Sequence, residues 1–187
     1  MQLQKNTALL LIDVQQGFND RRWGERNNPG AEQNIARLLQ AWRSHGMPVI
    51  HIQHDSRAPD GAFVPGAPGH AHKPEAMPLP SESVHHKTVN SAFIGTGLEA
   101  ELRTRKIEAL VIAGLTTNHC VSTTTRMAGN FGFDTYLVAD ASATFARPMV
   151  NGRMRSAQEV HDAALSDLNE EFATIVDSAD VLASLPR

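Results

Sequence analysis

The sequence predicts an α/β fold, with a mostly parallel six-stranded sheet covered by helices on both faces. Short apolar runs rich in β-branched residues alternate with segments of helical periodicity, which is typical of parallel strands joined by crossover helices. The length of 187 residues suits one domain with a sizeable core. We therefore expect a single three-layer α/β/α domain over residues 1–187, of Rossmann-like architecture.

Six runs are predicted to form the strands of this sheet. The first is nearly continuous in apolar residues, as expected for a strand that is buried on both faces. In chain order the runs are 7–13, 48–53, 83–87, 109–113, 134–139 and 173–176.

Three segments of helical periodicity lie between these runs. Residues 31–44 carry an apolar stripe and are followed by the stop signal Gly46. Residues 96–102 open with the Ser/Thr-x-x-Glu pattern of a capping box at Thr96. Residues 154–168 carry a third apolar stripe. All three are predicted to be helices that connect strands.

The segment 55–82 has no sustained periodicity and holds six of the ten prolines. A loop of this length inside a compact domain usually has a function. Two interpretations stay open: a surface excursion or arm that contacts another subunit, and a wall or lid of an active site.

Composition excludes several classes of protein. Seventeen basic against 20 acidic residues leave a net charge of -3, which argues against a nucleic-acid partner. No apolar run approaches the roughly 20 residues of a membrane helix, and the only cysteine, Cys120, cannot form an internal disulfide. We expect a cytoplasmic protein that binds a small-molecule substrate, without a membrane or nucleic-acid partner.

Three reactive side chains stand at the carboxyl ends of predicted strands, where parallel sheets bind ligands. Asp13 ends the first strand, Lys87 ends the third, and Cys120 follows the fourth. Each alone has an ordinary explanation: a loop anchor, a solvated lysine or a small buried hydrophobe. Together they supply the carboxylate, ammonium and thiol that nucleophilic catalysis by cysteine requires.

The surroundings of Cys120 predict an activated thiol. A neighbouring cation and a helix N-terminus both favour the thiolate. Thr117 or Asn118 could cap a helix that begins near Cys120 and ends near Gly129. We therefore expect Cys120 to react faster than a free thiol at neutral pH.

Three motifs carry a family resemblance. ALLLIDVQQGF, HHKTVNSAF and LVIAGLTTNHCVSTTTRMAGNFGFDTYLVADASATF resemble, in order and separation, the motifs of the isochorismatase-like cysteine hydrolases. The resemblance implies the strand order 3-2-1-4-5-6, Cys120 as nucleophile, Asp13 as its base, and Lys87 as the cation that holds both. It also implies an oxyanion hole at the N–H groups of Thr116 and Cys120, a cis peptide bond before Thr116, and a dimer or tetramer.

One departure from the family concerns metal binding. The nicotinamidase branch has Asp and His ligands just after the second strand, where this sequence has His54 and Ser56. This argues against a metal-dependent nicotinamidase, although His70 and His72 could chelate an ion. We expect no metal and no cofactor.

The resemblance also suggests residues of the substrate site. Phe18 and Phe93 are expected to line the cleft, with Trp23 as a further candidate, while Asn118 and His119 could touch substrate. The aromatic residues could equally be core residues, and Asn118 could be a helix cap.

The predicted triad of Asp13, Lys87 and Cys120, together with the family resemblance, implies hydrolysis of a small amide or carbamoyl C–N bond through an acyl-enzyme intermediate. The family's vinyl-ether-cleaving isochorismatases generally lack the cysteine, so Cys120 favours attack on an acyl carbon. Two alternatives stay open: an isochorismatase-type or ester hydrolase that uses the same site, and a non-catalytic protein of this fold that binds a small ligand.

Overall fold

Eight strands are present in the computed structural model, which describes residues 2–186. In chain order they are β1 (Ala8–Ile12), β2 (Val49–His54), β3 (Ser83–Lys87), β4 (Ala109–Leu115), β5 (Asp134–Ala143), β6 (Arg147–Pro148), β7 (Met154–Arg155) and β8 (Thr174–Val176). Six of them form one sheet in the order β3-β2-β1-β4-β5-β8, with every neighbouring pair parallel. The predicted fold class and strand order are confirmed, with β8 as the sixth predicted strand.

Five α-helices accompany the sheet within residues 2–186. They are α1 (Ala31–Ser44), α2 (Leu98–Thr104), α3 (Ser122–Asn130), α4 (Ala157–Leu168) and α5 (Ser178–Ala183). None of the helices in residues 2–186 has the length and apolar content needed to cross a membrane.

The side chains of β1 alternate between two buried layers. Leu9 and Leu11 pack in one apolar cluster with α1 and α5, whereas Leu10 and Ile12 belong to a second cluster with residues of α2, α3 and α4. Trp42 of α1 is fully buried, and its indole N–H donates to the backbone oxygen of Thr7 at 3.0 Å. The sheet is therefore the middle of three layers, and both of its faces are buried.

Two predicted helix starts are wrong. The last long helix begins at Ala157 rather than at residue 154, because Met154–Arg155 pairs with Arg147–Pro148 in a small antiparallel ribbon. A capping box does occur at the start of this helix, where Ser156 and Glu159 exchange hydrogen bonds. The box predicted at Thr96 is absent: α2 begins at Leu98 without a side-chain cap, and the Thr96 hydroxyl donates to the Ala92 backbone oxygen.

Gly114 brings β4 unusually close to β1 just before the candidate nucleophile. Its φ is +134°, and a Cβ at this position would lie 2.1 Å from the backbone oxygen of Ile12. The pairing of β4 with β5 shifts in register at the same point. Only glycine fits this approach, which fixes the path of the chain towards Thr116.

The segment 55–82 folds back over the end of β1. The backbone N–H of Gln16 donates to the oxygen of Ala71, and that of Lys73 donates to the oxygen of Val14. The buried Gln15 amide donates to two further backbone oxygens, those of His54 and His70. The long loop is therefore tied to the strand end at which the candidate site lies.

Candidate active site

Asp13 and Lys87 form a buried ion pair beneath the end of β2. The Lys87 Nζ donates to Asp13 Oδ2 at 2.6 Å, and both side chains are almost fully inaccessible to solvent. Since β2 lies between β1 and β3, the lysine reaches across one strand to its partner. On the way its Nζ lies 3.2 Å from Nδ1 of His54, the register neighbour of Lys87.

Asp13 is held in an unusual backbone conformation. Its φ is +51°, in the left-handed region that few residues other than glycine, Asn and Asp adopt. Its Oδ2 is engaged by Lys87, but its buried Oδ1 has no hydrogen-bond partner among the described residues. One carboxylate oxygen is thus left for a group that enters the site.

Cys120 lies in a π-helical turn, Thr117–Val121, that leads into α3. The backbone N–H groups of His119 and Val121 both donate to the Thr116 oxygen, and the peptide bond between Leu115 and Thr116 is cis, as expected. Such wide turns occur often at functional sites. The turn presents the half-buried Cys120 thiol to the ion pair.

The thiol, the Asp13 carboxylate and the His54 ring meet at one point. A ligand atom from each of the three lies within 4.8 Å of the others. Three separate strand ends and one helical turn therefore deliver the three side chains predicted from sequence, together with His54, to one place.

The electrostatics of this group favour a protonated cysteine at rest. Burial raises the pKa of the Cys120 thiol to about 12, and the Asp13 charge adds to the effect while Lys87 opposes it. Burial also raises the pKa of Asp13 against the pull of Lys87. The expectation of a preformed thiolate is therefore corrected: removal from water and the nearby carboxylate outweigh the single cation.

Burial lowers the pKa of His54, and the charge of Lys87 lowers it further, against the opposing effects of Asp13 and Asp55. The imidazole is therefore neutral, and its Nδ1 accepts from the Lys87 ammonium. Lys87 thus has two acceptors that hold its charged form in a dry site.

A cavity of about 330 Å³ opens above these groups. Its volume is at the small end of the range for ligand sites. The lining residues are Asp13, Phe18, Trp23, His54, Phe63, Asn90, Thr116, His119, Cys120 and Arg147.

An aromatic wall closes one side of the cavity. The ring centroid of Phe18 lies 4.7 Å from that of Phe63 and 5.2 Å from that of Trp23, and Phe145 stacks behind Trp23 at 5.6 Å. The Trp23 indole N–H donates to the backbone oxygen of Gly17 at 2.8 Å, which fixes the plane of the ring. The wall offers a flat apolar surface next to the thiol.

Comparison with known proteins identifies the family. The Isochorismatase domain profile matches residues 7–180. The chain is 49% identical over 174 residues to the uncharacterized isochorismatase family protein YrdC of Bacillus subtilis, covering 93% of each. A crystal structure of an isochorismatase-family protein from Chromobacterium violaceum is 50% identical, with a TM-score of 0.96 over 98% of this chain and 96% of that one.

The chain belongs to the isochorismatase family of hydrolases. A further family relative is streptothricin hydrolase of Streptomyces noursei, which is 33% identical over 172 residues that cover 89% of this chain and 58% of that protein. The family assignment, first inferred from three motifs, is confirmed by profile, sequence and structure.

The structure places two of the expected wall residues of this isochorismatase-family chain in the cavity. Phe18 and Trp23 line it, but Phe93 does not. The Phe93 ring packs against Phe131 at 5.3 Å and Phe133 at 6.1 Å in the core beneath α2. The expectation for Phe93 is therefore corrected, because these aromatic neighbours hold the ring in the core.

The two residues that precede Cys120 have different surroundings. His119 lines the cavity, whereas Asn118 is not among the lining residues. The Asn118 Oδ1 accepts from the hydroxyl of Thr144 at 2.5 Å, and no side chain caps the turn. Both expectations for Asn118, substrate contact and helix cap, are corrected: it instead anchors the turn to the end of β5. The Thr117 hydroxyl likewise contacts His161 Nδ1, at 2.9 Å.

Sequence reasoning missed three cavity residues as members of the substrate site. His54 was considered only as a departure from a metal site, although its place at the end of β2 follows the same rule as that of Asp13. Asn90 lies three residues after Lys87, where neither a strand end nor a periodic pattern marks it as a cavity residue. Phe63 of the segment 55–82 does line the cavity, as the interpretation of that segment as a wall of the site expects. Arg147 follows β5 at the start of a two-residue strand too short to be recognised.

A second group of possible metal ligands lies outside the cavity. Asp55 Oδ1 is 2.7 Å from His70 Nε2 and 3.0 Å from His86 Nδ1, whereas His72, the other chelator considered, is not in this group. The two histidines each hydrogen-bond to the carboxylate, and the Gln53 amide lies 3.3 Å from His70 Nδ1. These contacts explain the cluster as a hydrogen-bonded link between β3 and the long loop.

Proposed function

We propose that this protein hydrolyses the C–N bond of a small amide through a thioester on Cys120. The observation that carries the proposal is the arrangement at the base of the cavity. Lys87 donates to one oxygen of Asp13, the other oxygen has no hydrogen-bond partner among residues 2–186, and the Cys120 thiol lies within 4.8 Å of the carboxylate. A base of this kind, adjacent to a thiol in a cleft, is the requirement for an activated nucleophile.

The first step transfers the thiol proton to Asp13 Oδ1 while sulfur attacks the carbonyl carbon. A C–S bond forms, and the carbonyl π electrons move to oxygen. The family resemblance assigns the stabilisation of this oxyanion to the N–H groups of Thr116 and Cys120. Because the pKa values of both Cys120 and Asp13 are raised, the proton moves as the attack occurs rather than before substrate binds.

The second step expels the amine. The C–N bond breaks, the leaving nitrogen takes the proton from Asp13, and the acyl group remains as a thioester. Asp13 then accepts a proton from water as the water oxygen attacks the thioester. The C–S bond breaks, the thiolate regains the proton, and the sum is amide plus water giving acid plus amine.

Lys87 keeps its proton throughout these steps. Its role is to hold the Asp13 carboxylate ionised in a buried place, since an unpaired buried carboxylate would take up a proton and cease to be a base. The neutral His54 accepts a second hydrogen bond from the same ammonium and keeps it in position.

The family membership supports the proposal. The chain is one third identical to a protein named streptothricin hydrolase, which associates this fold with hydrolysis. The cavity of about 330 Å³ supports a small substrate rather than a protein or polymer. Besides the amide, the proposed steps consume only water.

A screen of small amides, carbamoyl and ureido compounds for ammonia release tests the proposal. We expect turnover of at least one compound, and its loss in Cys120→Ala, which removes only one sulfur atom from a helical turn. Met77→Ala, at an exposed methionine that does not line the cavity, is the control for non-specific effects of substitution and purification. Turnover that persists in Cys120→Ala would refute the thioester, and binding of esters and amides without turnover of either would indicate a non-catalytic protein.

A further inference from the structure

Arg147 is a cation in the cavity without an acidic partner. It lines the cavity together with Cys120, and no carboxylate of residues 2–186 forms an ion pair with it. Its guanidinium donates to Nε2 of His119, the residue directly before the nucleophile. The side chain is half-buried, so its charge is only partly solvated.

The charged groups around the cavity do not balance. Asp13 is neutralised by Lys87, which leaves the charge of Arg147. Burial lowers the pKa of both His54 and His119, with Arg147 contributing at His119, so neither ring supplies or removes charge near neutral pH. The cavity therefore has one excess positive charge close to the reacting thiol.

The small ribbon explains how Arg147 reaches this place. Arg147 of β6 is the register partner of Arg155 in β7, and cross-strand partners present their side chains on the same face. The buried Nε of Arg155 has no hydrogen-bond partner among the described residues. Two guanidinium groups thus share one face of the ribbon, and neither forms an ion pair with a carboxylate of residues 2–186, although the charge of Arg155 reaches Glu159.

Arg147 also separates the cavity from a second one. The neighbouring cavity, again of about 330 Å³, is lined in part by Trp23, Thr116 and Arg147, which line the first as well. A substrate can therefore place its amide at Cys120, lie along the aromatic wall and direct a polar end to the guanidinium.

We propose that Arg147 binds a carboxylate of the substrate, so that the enzyme acts on small amides that carry a carboxylate group. A planar guanidinium matches a carboxylate with two parallel hydrogen bonds. The carboxylate would balance the excess charge, and His119 fixes the direction of the donors. The inference rests on the proposed function, because it names the class of amide that the Cys120 site cleaves.

Three amides of one chain length test the assignment: succinamate, butyramide and 3-aminopropanamide, which end in a carboxylate, a methyl group and an ammonium. A charge-assisted hydrogen bond predicts that kcat/KM for succinamate exceeds that for butyramide about ten- to a hundredfold. The ammonium compound should be the poorest of the three. In Arg147→Met, kcat/KM for succinamate should exceed that for butyramide by no more than about threefold, which is less than half of the free-energy difference of a tenfold change. Arg147→Lys should keep part of the preference, because the positive charge remains.

Arg153→Met is the matched control, since Arg153 is an exposed arginine in the turn between β6 and β7 and does not line the cavity. It should leave the preference unchanged. Equal kcat/KM for all three amides would overturn the carboxylate site and leave the proposed hydrolysis standing. Turnover of none of a broad amide panel would refute the proposed hydrolysis.

If no amide of the panel is hydrolysed, calorimetric titration with butyrate and with butyramide tests the carboxylate site separately. Binding of butyrate alone, lost in Arg147→Met and kept in Arg153→Met, would support it. Equal binding of the two compounds, or butyrate binding that survives in Arg147→Met, would overturn it.

Discussion

The two oxygens of the Asp13 carboxylate have different surroundings. Oδ2 accepts from Lys87 at 2.6 Å, whereas the buried Oδ1 has no hydrogen-bond partner in the described residues 2–186. In the proposed mechanism, this difference lets Lys87 stabilise the ionised carboxylate through Oδ2 while Oδ1 accepts the thiol proton. The left-handed backbone of Asp13 is part of the arrangement, since it turns the carboxylate inwards directly after a buried strand.

The thiol of Cys120 is protonated at rest because burial and the Asp13 charge together outweigh Lys87. Removing the carboxylate charge should reverse the balance. In Asp13→Asn the Lys87 ammonium loses its anionic partner, and a Cys120 thiolate is the nearest replacement. The substitution thus separates thiol ionisation from catalysis.

We predict that Asp13→Asn alkylates with iodoacetamide faster than the intact enzyme at neutral pH, by about tenfold for each unit by which the cysteine pKa falls. Hydrolysis should be lost in the same variant. Asparagine tolerates the left-handed backbone of this position, and circular dichroism checks that the fold persists. In the intact enzyme the alkylation rate should keep rising with pH above neutrality. A plateau near pH 7 at a rate above that of free cysteine would contradict the protonated resting thiol.

At the scale of elements, the site depends on how the long loop is fastened to the sheet. Glu32 at the start of α1 forms ion pairs with Arg26 and with Lys73 of the segment 55–82. Lys73 also donates to Asn19, beside the aromatic wall residue Phe18. One carboxylate therefore joins the first helix, the loop after β1 and the long loop.

We predict that Glu32→Gln lowers the free energy of unfolding at pH 7 by about 2 kcal/mol. Burial acts to raise the pKa of Glu32, but Arg26 and Lys73 lower it to about 2. A depressed folded-state pKa stabilises above the unfolded value of 4.5 and loses this contribution as pH falls through 2. The difference between the two proteins should therefore shrink below pH 4.5 in denaturant titrations.

Glu25→Gln is the control for this prediction, because Glu25 is exposed and has no ion pair in the described part of the chain. It should change stability by less than about 0.5 kcal/mol. A Glu32→Gln effect that is the same at pH 7 and pH 3 would show that the charge is not its cause.

Elements with strong local patterns could be predicted, and elements defined by tertiary contacts could not. The apolar stripe and stop signal of α1 gave its limits, 31–44, as observed. The β6–β7 ribbon was not predicted, because its strands have only two residues each. Its pairing places residues 154–155 in a strand rather than in the predicted helix. The turn around Cys120 has no sequence signal for its wide geometry.

At the scale of the whole molecule, parallel topology predicts which strand ends meet but not which side chains fill the space between them. Asp13, Lys87 and Cys120 could be placed at one rim because each follows a strand of the same sheet. Whether the Phe93 ring lines the cavity or packs in the core depends on its tertiary contacts, and the structure places the ring in the core. The position of Arg147 in the cavity could not be predicted either, because it depends on the fold of the β6–β7 ribbon.

In the proposed mechanism, all substrates that share an acyl group form the same thioester on Cys120. An amide and the corresponding p-nitroanilide should then pass through the same intermediate. Added hydroxylamine competes with water for that thioester and gives a hydroxamate.

The most direct test is the ratio of hydroxamate to free acid formed from the two substrates in the presence of hydroxylamine. We predict the same ratio for both, because partitioning occurs after the amine has left, and no product from either substrate with Cys120→Ala. Different ratios for the two substrates, or turnover by Cys120→Ala, would contradict a thioester on Cys120.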